Sequence, residues 1–141
     1  MKTLKSMLAG IALLFICVAA YAITKTKPDK LTKDEVVKIY VDAITSGNVS
    51  NLNNVLSDDL QFDIQRGQNV NTLNKNQLID YLKNNTVSDP SVKTTTTVEQ
   101  GDDNSSVVKV EFKYDGYTRT DEVTLYKTRG WLITKVVSVF K

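Results

Sequence analysis

The spacing of apolar residues near position 40 predicts an amphipathic helix. Apolar side chains recur every three or four positions and leave the charged side chains for solvent. Thr32 and Glu35 stand three residues apart, the spacing of a capping box at a helix start. Gly47 suits the left-handed residue that ends many helices. The apolar face of this predicted helix consists of Val36, Val37, Tyr40, Val41 and Ile44.

Two further helical segments are predicted before the chain becomes strand-like. A short helical turn spans Ser50 to about Leu56. A second capping box, Asn74 with Gln77, starts a helix that should end near Asn84 and Asn85. With the opening helix, these segments give three predicted helices.

Strict alternation of apolar and polar residues predicts strands elsewhere. It is seen first over Leu60–Gln65, after which residues 66–69 form a turn. Asp115-Gly116 is a strong two-residue hairpin signal between two later strands. From residue 91 onward the chain is β throughout, with predicted strands over 91–99, 108–114, 117–127 and 131–139.

This order of elements predicts an α+β domain. Helices that precede an antiparallel meander bury their apolar faces against one side of the sheet. We therefore expect three N-terminal helices packed on a strongly curved antiparallel sheet, in one domain spanning residues 31–141.

The first 22 residues have the pattern of a secretory signal. Lys2 and Lys5 precede an apolar run of about fourteen residues, Met7 to Ala20, which is short for a bilayer span. Ala20-Tyr21-Ala22 provides small residues at the positions that a signal peptidase reads. We expect cleavage after Ala22, a linker over residues 23–30, and a periplasmic or secreted protein without stable membrane insertion. An uncleaved membrane anchor is the alternative.

Cleavage would change the composition in ways that exclude several functions. The only cysteine, Cys17, would be removed, and the chain has no histidine, so we expect no cofactor and no metal site of the imidazole or thiolate kind. Loss of Lys2 and Lys5 from eighteen basic residues leaves sixteen against sixteen acidic ones. A near-neutral exported domain has no electrostatic reason to bind nucleic acid.

Two segments carry a family resemblance: Asp34–Asn48, the opening helix with its Gly-Asn ending, and Glu122–Ile133, the terminal hairpin. Through them the chain resembles the nuclear transport factor 2-like superfamily, which has a cystatin-like, cone-shaped fold. It looks most similar to the exported bacterial proteins grouped as "putative lumazine-binding" or of unknown function. The resemblance covers Leu31–Val139, and neither segment is a catalytic signature.

The resemblance implies a pocket between the helices and the concave face of the sheet. Enzymes of the superfamily place specific groups there. The dehydratase branch needs a histidine, which this chain lacks. The steroid isomerase branch needs a carboxylate base opposite a tyrosine and a protonated acid, and the epoxide hydrolase branch needs two aspartates bridged by an arginine.

Strand parity identifies the candidate site residues. Arg119 and Asp121 share one side of their strand with Val123 and Leu125, so they point toward the concave face if those two are core residues. The candidate ligand-binding set is Tyr40, Phe112, Tyr114, Arg119, Asp121 and Trp131. A second interpretation stays open, in which Arg119 and Asp121 reach solvent near a hairpin end and the aromatic residues only fill the core. Asp63 is expected to be exposed.

Three functional hypotheses follow. The first is a non-catalytic exported domain that binds an unknown, partly hydrophobic small molecule in the cone. The second is an interaction module that uses the convex sheet face to dimerise or to dock a partner, with Val136 and Phe140 as interface candidates. The third is a small lyase, isomerase or hydrolase that uses Asp121 or Asp63 with a tyrosine.

Overall fold

The computed structural model describes residues 31–141. The predicted signal segment and the whole predicted linker lie outside these residues. The described chain contains three helices: α1 (Lys33–Ser46), α2 (Leu52–Val55) and α3 (Lys75–Asn85). It also contains six strands: β1 (Leu56–Arg66), β2 (Asn69–Leu73), β3 (Lys93–Gly101), β4 (Ser105–Tyr114), β5 (Tyr117–Lys127) and β6 (Trp131–Phe140).

Local sequence signals set the limits of the two longer helices. At the start of α1, the Glu35 amide donates to Thr32 Oγ1 (3.2 Å) and the Thr32 amide donates to Glu35 Oε2 (2.7 Å). Asn74 and Gln77 make the same reciprocal pair at the start of α3. Gly47 ends α1 in the left-handed region (φ 75°), as predicted. Both capping boxes are therefore confirmed.

The six strands form one sheet in the order β2-β1-β6-β5-β4-β3. Register shifts interrupt the β1–β6, β5–β6 and β3–β4 pairings. Such bulges bend the strands that carry them and curve the sheet. The helices contact β1, β2 and β6, and the core lies between them and one face of the sheet.

Two parts of the predicted architecture are wrong. Only α1 and α2 precede the sheet, because the β1–β2 hairpin lies between α2 and α3. The pattern of apolar residues does not predict β2, because this edge strand is short and its first four residues are exposed. The sheet is also not wholly antiparallel, because β1 pairs with β6 in parallel. The long connection between these two strands lets the chain return in the same direction.

The apolar interface expected for dimerisation is not available at Val136. This side chain is 0% exposed and belongs to the core beneath the helices. The prediction failed because Val136 lies on the concave face with Ile133 and Ser138, both of which are also fully buried. Phe140 is partly exposed at the end of β6.

Candidate functional site

A buried ion pair lies at the centre of the site. Arg119 and Asp121 stand two residues apart on β5, so their side chains share the concave face. Arg119 Nε and Nη2 donate to the two carboxylate oxygens of Asp121, each over 2.8 Å. Asp121 is 0% exposed and Arg119 only 7%. The interpretation in which both charges reach solvent is therefore wrong, because α1 and several aromatic rings cover them.

Tyr40 joins this pair from the middle of α1. Its hydroxyl donates to Asp121 Oδ2 over 2.5 Å, and its side chain is fully buried. Burial, reinforced by the negative charge of Asp121, raises the pKa of Tyr40 well above 10. The phenol therefore remains protonated and acts as a fixed donor to the carboxylate.

The Arg119 guanidinium lies among three phenylalanine rings. Its Cζ atom is 5.8 Å from the Phe62 centroid, 5.5 Å from that of Phe112 and 5.4 Å from that of Phe140. These are cation–π distances, and the rings hold the side chain in one position. Burial disfavours the cation, but the adjacent Asp121 carboxylate outweighs it and raises the pKa of Arg119. The arginine is therefore a permanent charge.

Arg119 retains donors for another group. A guanidinium carries about five N–H groups, and only two of those of Arg119 meet an acceptor among residues 31–141. The side chain also lines a cavity of about 460 Å³. Small-molecule sites commonly have volumes of roughly 300–1,000 Å³, so this space can hold a ligand.

This space, the mouth cavity, lies where several elements end. Its wall includes the last residues of β1, β4 and β6, the beginning of β5, the end of α3 and the loop after it. Tyr81 and Tyr117 line it and are 37% and 44% exposed, so its rim reaches solvent. Polar groups on the loop side come from Asn85, Thr86, Ser88 and Asp89.

Aromatic rings form the sheet side of the rim. Tyr114 and Tyr117, across the β4–β5 hairpin, stack with centroids 4.7 Å apart and planes 8° from parallel. The Phe140 ring lies 6.2 Å from that of Tyr117. Tyr114 is half-buried, and this burial raises the pKa of its hydroxyl. The rim therefore offers flat apolar surface beside the donors of Arg119.

A buried hydroxyl without a partner lies opposite the ion pair. Ser138 on β6 is in register with Asp121 on β5 and is fully buried. Among the described residues, its Oγ atom has no hydrogen-bond partner. An unsatisfied buried hydroxyl is unfavourable, so this position carries a polar group that the core does not need for stability.

The structure brings together five of the six predicted site residues. Tyr40, Arg119 and Asp121 are hydrogen bonded, Phe112 packs on Arg119, and Tyr114 lines the mouth cavity. Trp131 lies elsewhere, at the first position of β6 beneath the Lys33 ammonium, 5.6 Å from its ring centroid. The strand is ten residues long, so Trp131 at its start lies about 30 Å from the cavity end of β6.

Asp63 is placed as predicted. It is half-exposed on β1 and accepts a hydrogen bond from Thr72 Oγ1 over 2.8 Å. Gln61 on the same strand also donates to its carboxylate. Asp63 does not line the mouth cavity.

Sequence reasoning missed most of the side chains that line the cavity, among them Arg66, Tyr81, Tyr117 and Phe140. Parity with Arg119 was the available signal for Tyr117. Phe140 is in register with Arg119 on the neighbouring strand, a relationship visible only once the β5–β6 pairing is known. Arg66 looked like an ordinary turn residue.

The described part of the chain contains no cluster of three or more Asp, Glu, His or Cys residues placed to hold a metal ion. Within residues 31–141, no helix combines the length and the apolar character needed to cross a membrane.

The fold is that of known nuclear transport factor 2-like structures. One, of unknown function, from Shewanella baltica superposes with a TM-score of 0.67 at 14% identity, covering 76% of this chain and 89% of that one. Another of unknown function, from Methylobacillus flagellatus, gives 0.63 at 19% identity, covering 79% and 96%. A "putative ketosteroid isomerase" from Parabacteroides distasonis gives 0.58 at 12% identity, covering 79% and 89%.

No curated protein matches the chain significantly. A family model does match, over residues 29–139, and its description is "Putative lumazine-binding". This span includes the whole described fold and the mouth cavity except for the last two residues of the chain, Phe140 and Lys141. The chain therefore belongs to the family described as "Putative lumazine-binding", and its fold is that of nuclear transport factor 2-like structures.

Proposed function

We propose that the domain is a non-catalytic binding protein that holds a small planar molecule with acceptor atoms in the mouth cavity. The proposal depends on one observation: the guanidinium of Arg119 is fixed in position and still has N–H groups without an acceptor in the described part of the chain. Its position is fixed by Asp121 and by three aromatic rings, and unused N–H groups remain on a side chain that lines the cavity. Hydrogen bonds from a charged donor in a poorly hydrated site are strong and directional.

The aromatic rim supports a flat ligand. Tyr114 and Tyr117 present parallel rings at the edge of the cavity, where a planar heterocycle can stack. The family description names lumazine, a flat bicyclic ring with carbonyl oxygens. That chemistry suits a site with a guanidinium donor beside tyrosine rings.

The hydrogen bonding and the burial of Asp121 favour a binding function over a catalytic one. Both carboxylate oxygens already accept hydrogen bonds, from Tyr40 and Arg119, and the side chain has no exposed surface. It does not line the mouth cavity, so it is not placed to take a proton from a molecule there. We assign Asp121 the role of holding Arg119 in position.

A ligand titration tests the proposal. Lumazine and a set of other flat heterocycles are added to the purified protein while its thermal unfolding is followed. A ligand that binds only the folded state at about 100 times its Kd stabilises it by about 2.7 kcal/mol, so the midpoint should rise. If no flat compound raises the midpoint, the proposal is wrong.

Two tyrosine variants locate the site. Tyr117→Leu removes a rim ring and should weaken binding about threefold to tenfold, the worth of one aromatic stack. Tyr126→Leu is the control, because Tyr126 lies on the same strand, is 50% exposed and does not line the mouth cavity. Equal losses in both variants would place the ligand elsewhere.

We further propose that the protein is exported and that residues 1–22 are removed. The support is the sequence pattern alone: two lysines, an apolar run and the Ala20-Tyr21-Ala22 site. N-terminal sequencing of the protein recovered outside the cytoplasm should begin at Ile23. A chain that retains Met1 would contradict cleavage.

A further inference from the structure

A second arginine lies at the mouth cavity without an acidic partner. Arg66 is the last residue of β1 and is exposed. Its guanidinium Cζ lies 4.8 Å from the centroid of the Phe140 ring. None of the ion pairs or side-chain hydrogen bonds among residues 31–141 involves Arg66. Its charge is therefore positioned by an aromatic ring and is not neutralised by a carboxylate.

Arg66 borders three adjoining spaces. Besides the mouth cavity, it lines a cavity of about 580 Å³ beside β2 and one of about 400 Å³ beside Lys141. No aspartate or glutamate lines either of these two spaces. An anion placed at Arg66 would therefore meet no repelling side chain on those sides.

One carboxylate, Asp89, does line the mouth cavity. It accepts hydrogen bonds from the amide and the hydroxyl of Ser91, over 2.9 and 2.6 Å. These bonds stabilise its charge and lower its pKa. Asp89 is thus engaged within its own loop and forms no ion pair with Arg66.

The two arginines lie close enough to hold one small molecule. Arg119 Cζ is 5.4 Å and Arg66 Cζ is 4.8 Å from the centroid of the Phe140 ring. The two guanidinium groups are therefore at most about 10 Å apart. The two charges differ in their pairing, because the Asp121 carboxylate neutralises Arg119, whereas no carboxylate among residues 31–141 pairs with Arg66. A neutral acceptor suits the first, and a full negative charge suits the second.

We infer that the ligand is a planar aromatic acid: Arg66 binds its carboxylate while its ring acceptors meet Arg119. This inference rests on the proposed function and adds the charge of the ligand. It also assigns separate tasks to the two arginines. Arg119 positions the ring, and Arg66 discriminates acids from neutral analogues.

Matched pairs of ligands test the inference. Lumazine is compared with lumazine-6-carboxylate, and quinoxaline-2-carboxamide with quinoxaline-2-carboxylate, so that the outcome does not depend on one ring system and every ring carries acceptor atoms. The wild-type protein should bind the acid about tenfold more tightly than its neutral partner, a typical gain for a charge-assisted hydrogen bond. The preference should shrink as salt is added, because Arg66 is exposed.

Two arginine variants complete the design. Arg66→Gln should abolish the preference for the acid, because it should lower affinity for the acid about tenfold more than affinity for the neutral partner. Arg129→Gln removes the same charge from an exposed residue in the β5–β6 turn, outside all three cavities, and should keep the preference. A preference that survives in Arg66→Gln, or that Arg129→Gln loses equally, overturns the assignment to Arg66.

The outcomes separate the two proposals. Equal binding of acid and neutral partner by the wild-type protein overturns the inference and leaves the proposed function standing. Failure of all four compounds and of the wider heterocycle set to bind overturns the proposed function, and the inference falls with it.

Discussion

Tyr40 donates a 2.5 Å hydrogen bond to Asp121 across 81 positions of sequence. This bond joins the buried face of α1 to the centre of β5. Because Asp121 in turn holds Arg119, the helix, the sheet and the cavity wall are connected through one carboxylate. The same three residues therefore bear on stability and on the proposed ligand site.

Loss of the Asp121 charge should destabilise the fold strongly. Asp121→Asn keeps the shape but leaves the Arg119 cation buried without a counter-charge. Breaking a buried pair in this way costs about 3–5 kcal/mol. Urea unfolding should report this loss. Asp58→Asn is the control, because Asp58 pairs with Lys75 at the surface with its side chain 96% exposed, and it should change stability by only ~0–1 kcal/mol. Similar losses in the two variants would contradict the buried role of Asp121.

The contribution of the Tyr40 hydroxyl to the free energy of unfolding should decrease at alkaline pH. At neutral pH, Tyr40→Phe should lose about 1–3 kcal/mol, because Asp121 loses a buried donor. Folding raises the pKa of Tyr40, so the contribution of its proton is fully present below about pH 10, the ordinary value. Above that pH the unfolded chain releases the proton first, and the folded state loses up to ~1.4 kcal/mol per pH unit from this group.

The measurement is urea unfolding of both proteins from pH 7 to pH 11. The advantage of the wild-type protein over Tyr40→Phe should be constant up to about pH 10 and shrink above it. Lysines and arginines are common to both chains, so the difference isolates Tyr40. An advantage that grows with pH would mean that the pKa of Tyr40 is lowered.

Removal of the Ser138 hydroxyl should stabilise the protein. Its Oγ atom is buried without a partner among the described residues, and such a group costs about 1–3 kcal/mol. Ser138→Ala should therefore raise the free energy of unfolding by about 1 kcal/mol. Ser106→Ala should lower it, because the equally buried Ser106 hydroxyl donates to the Gln100 carbonyl over 3.1 Å. A loss of stability in Ser138→Ala would indicate that this hydroxyl holds a buried water.

Two glycines should respond differently to the same change. Gly47 and Gly67 both have positive φ, 75° and 61°, so alanine costs about 1 kcal/mol at either from backbone conformation. A Cβ at Gly47 would also lie 3.2 Å from Thr86 Cβ, whereas nothing lies within 4 Å at Gly67. Thermal unfolding should therefore show a larger loss for Gly47→Ala. Equal losses would mean that Thr86 moves aside freely.

Much of the secondary structure could be predicted because its causes are local. The two capping boxes involve residues three positions apart, and the Asp115-Gly116 turn involves neighbours. Alternation located β1 and β4 because one face of each is buried, and the turns at Asp115-Gly116 and at residues 128–130 located β5 and β6. The same reasoning missed β2, whose residues are mostly exposed, since a strand without a buried face leaves no periodic signal.

Strand parity predicted the direction of Arg119 and Asp121 but could not predict their depth. Direction follows from the pleat of a single strand. Depth depends on Tyr40 from α1 and on rings from three other strands, which no local pattern relates to β5. The same limit explains why Trp131 was wrongly placed at the site. Its ring could stack on a ligand, but it lies at the end of β6 away from the mouth cavity.

The sequence by itself determined the helix starts, the tight turns and the α+β class, because these follow from interactions between residues a few positions apart. Only the tertiary structure decided that β1 pairs in parallel with β6 and that Arg66 and Arg119 meet at one phenylalanine ring. Those relationships join strand ends that are distant in the chain. They arise when the whole core is buried at once, and no single segment contains them.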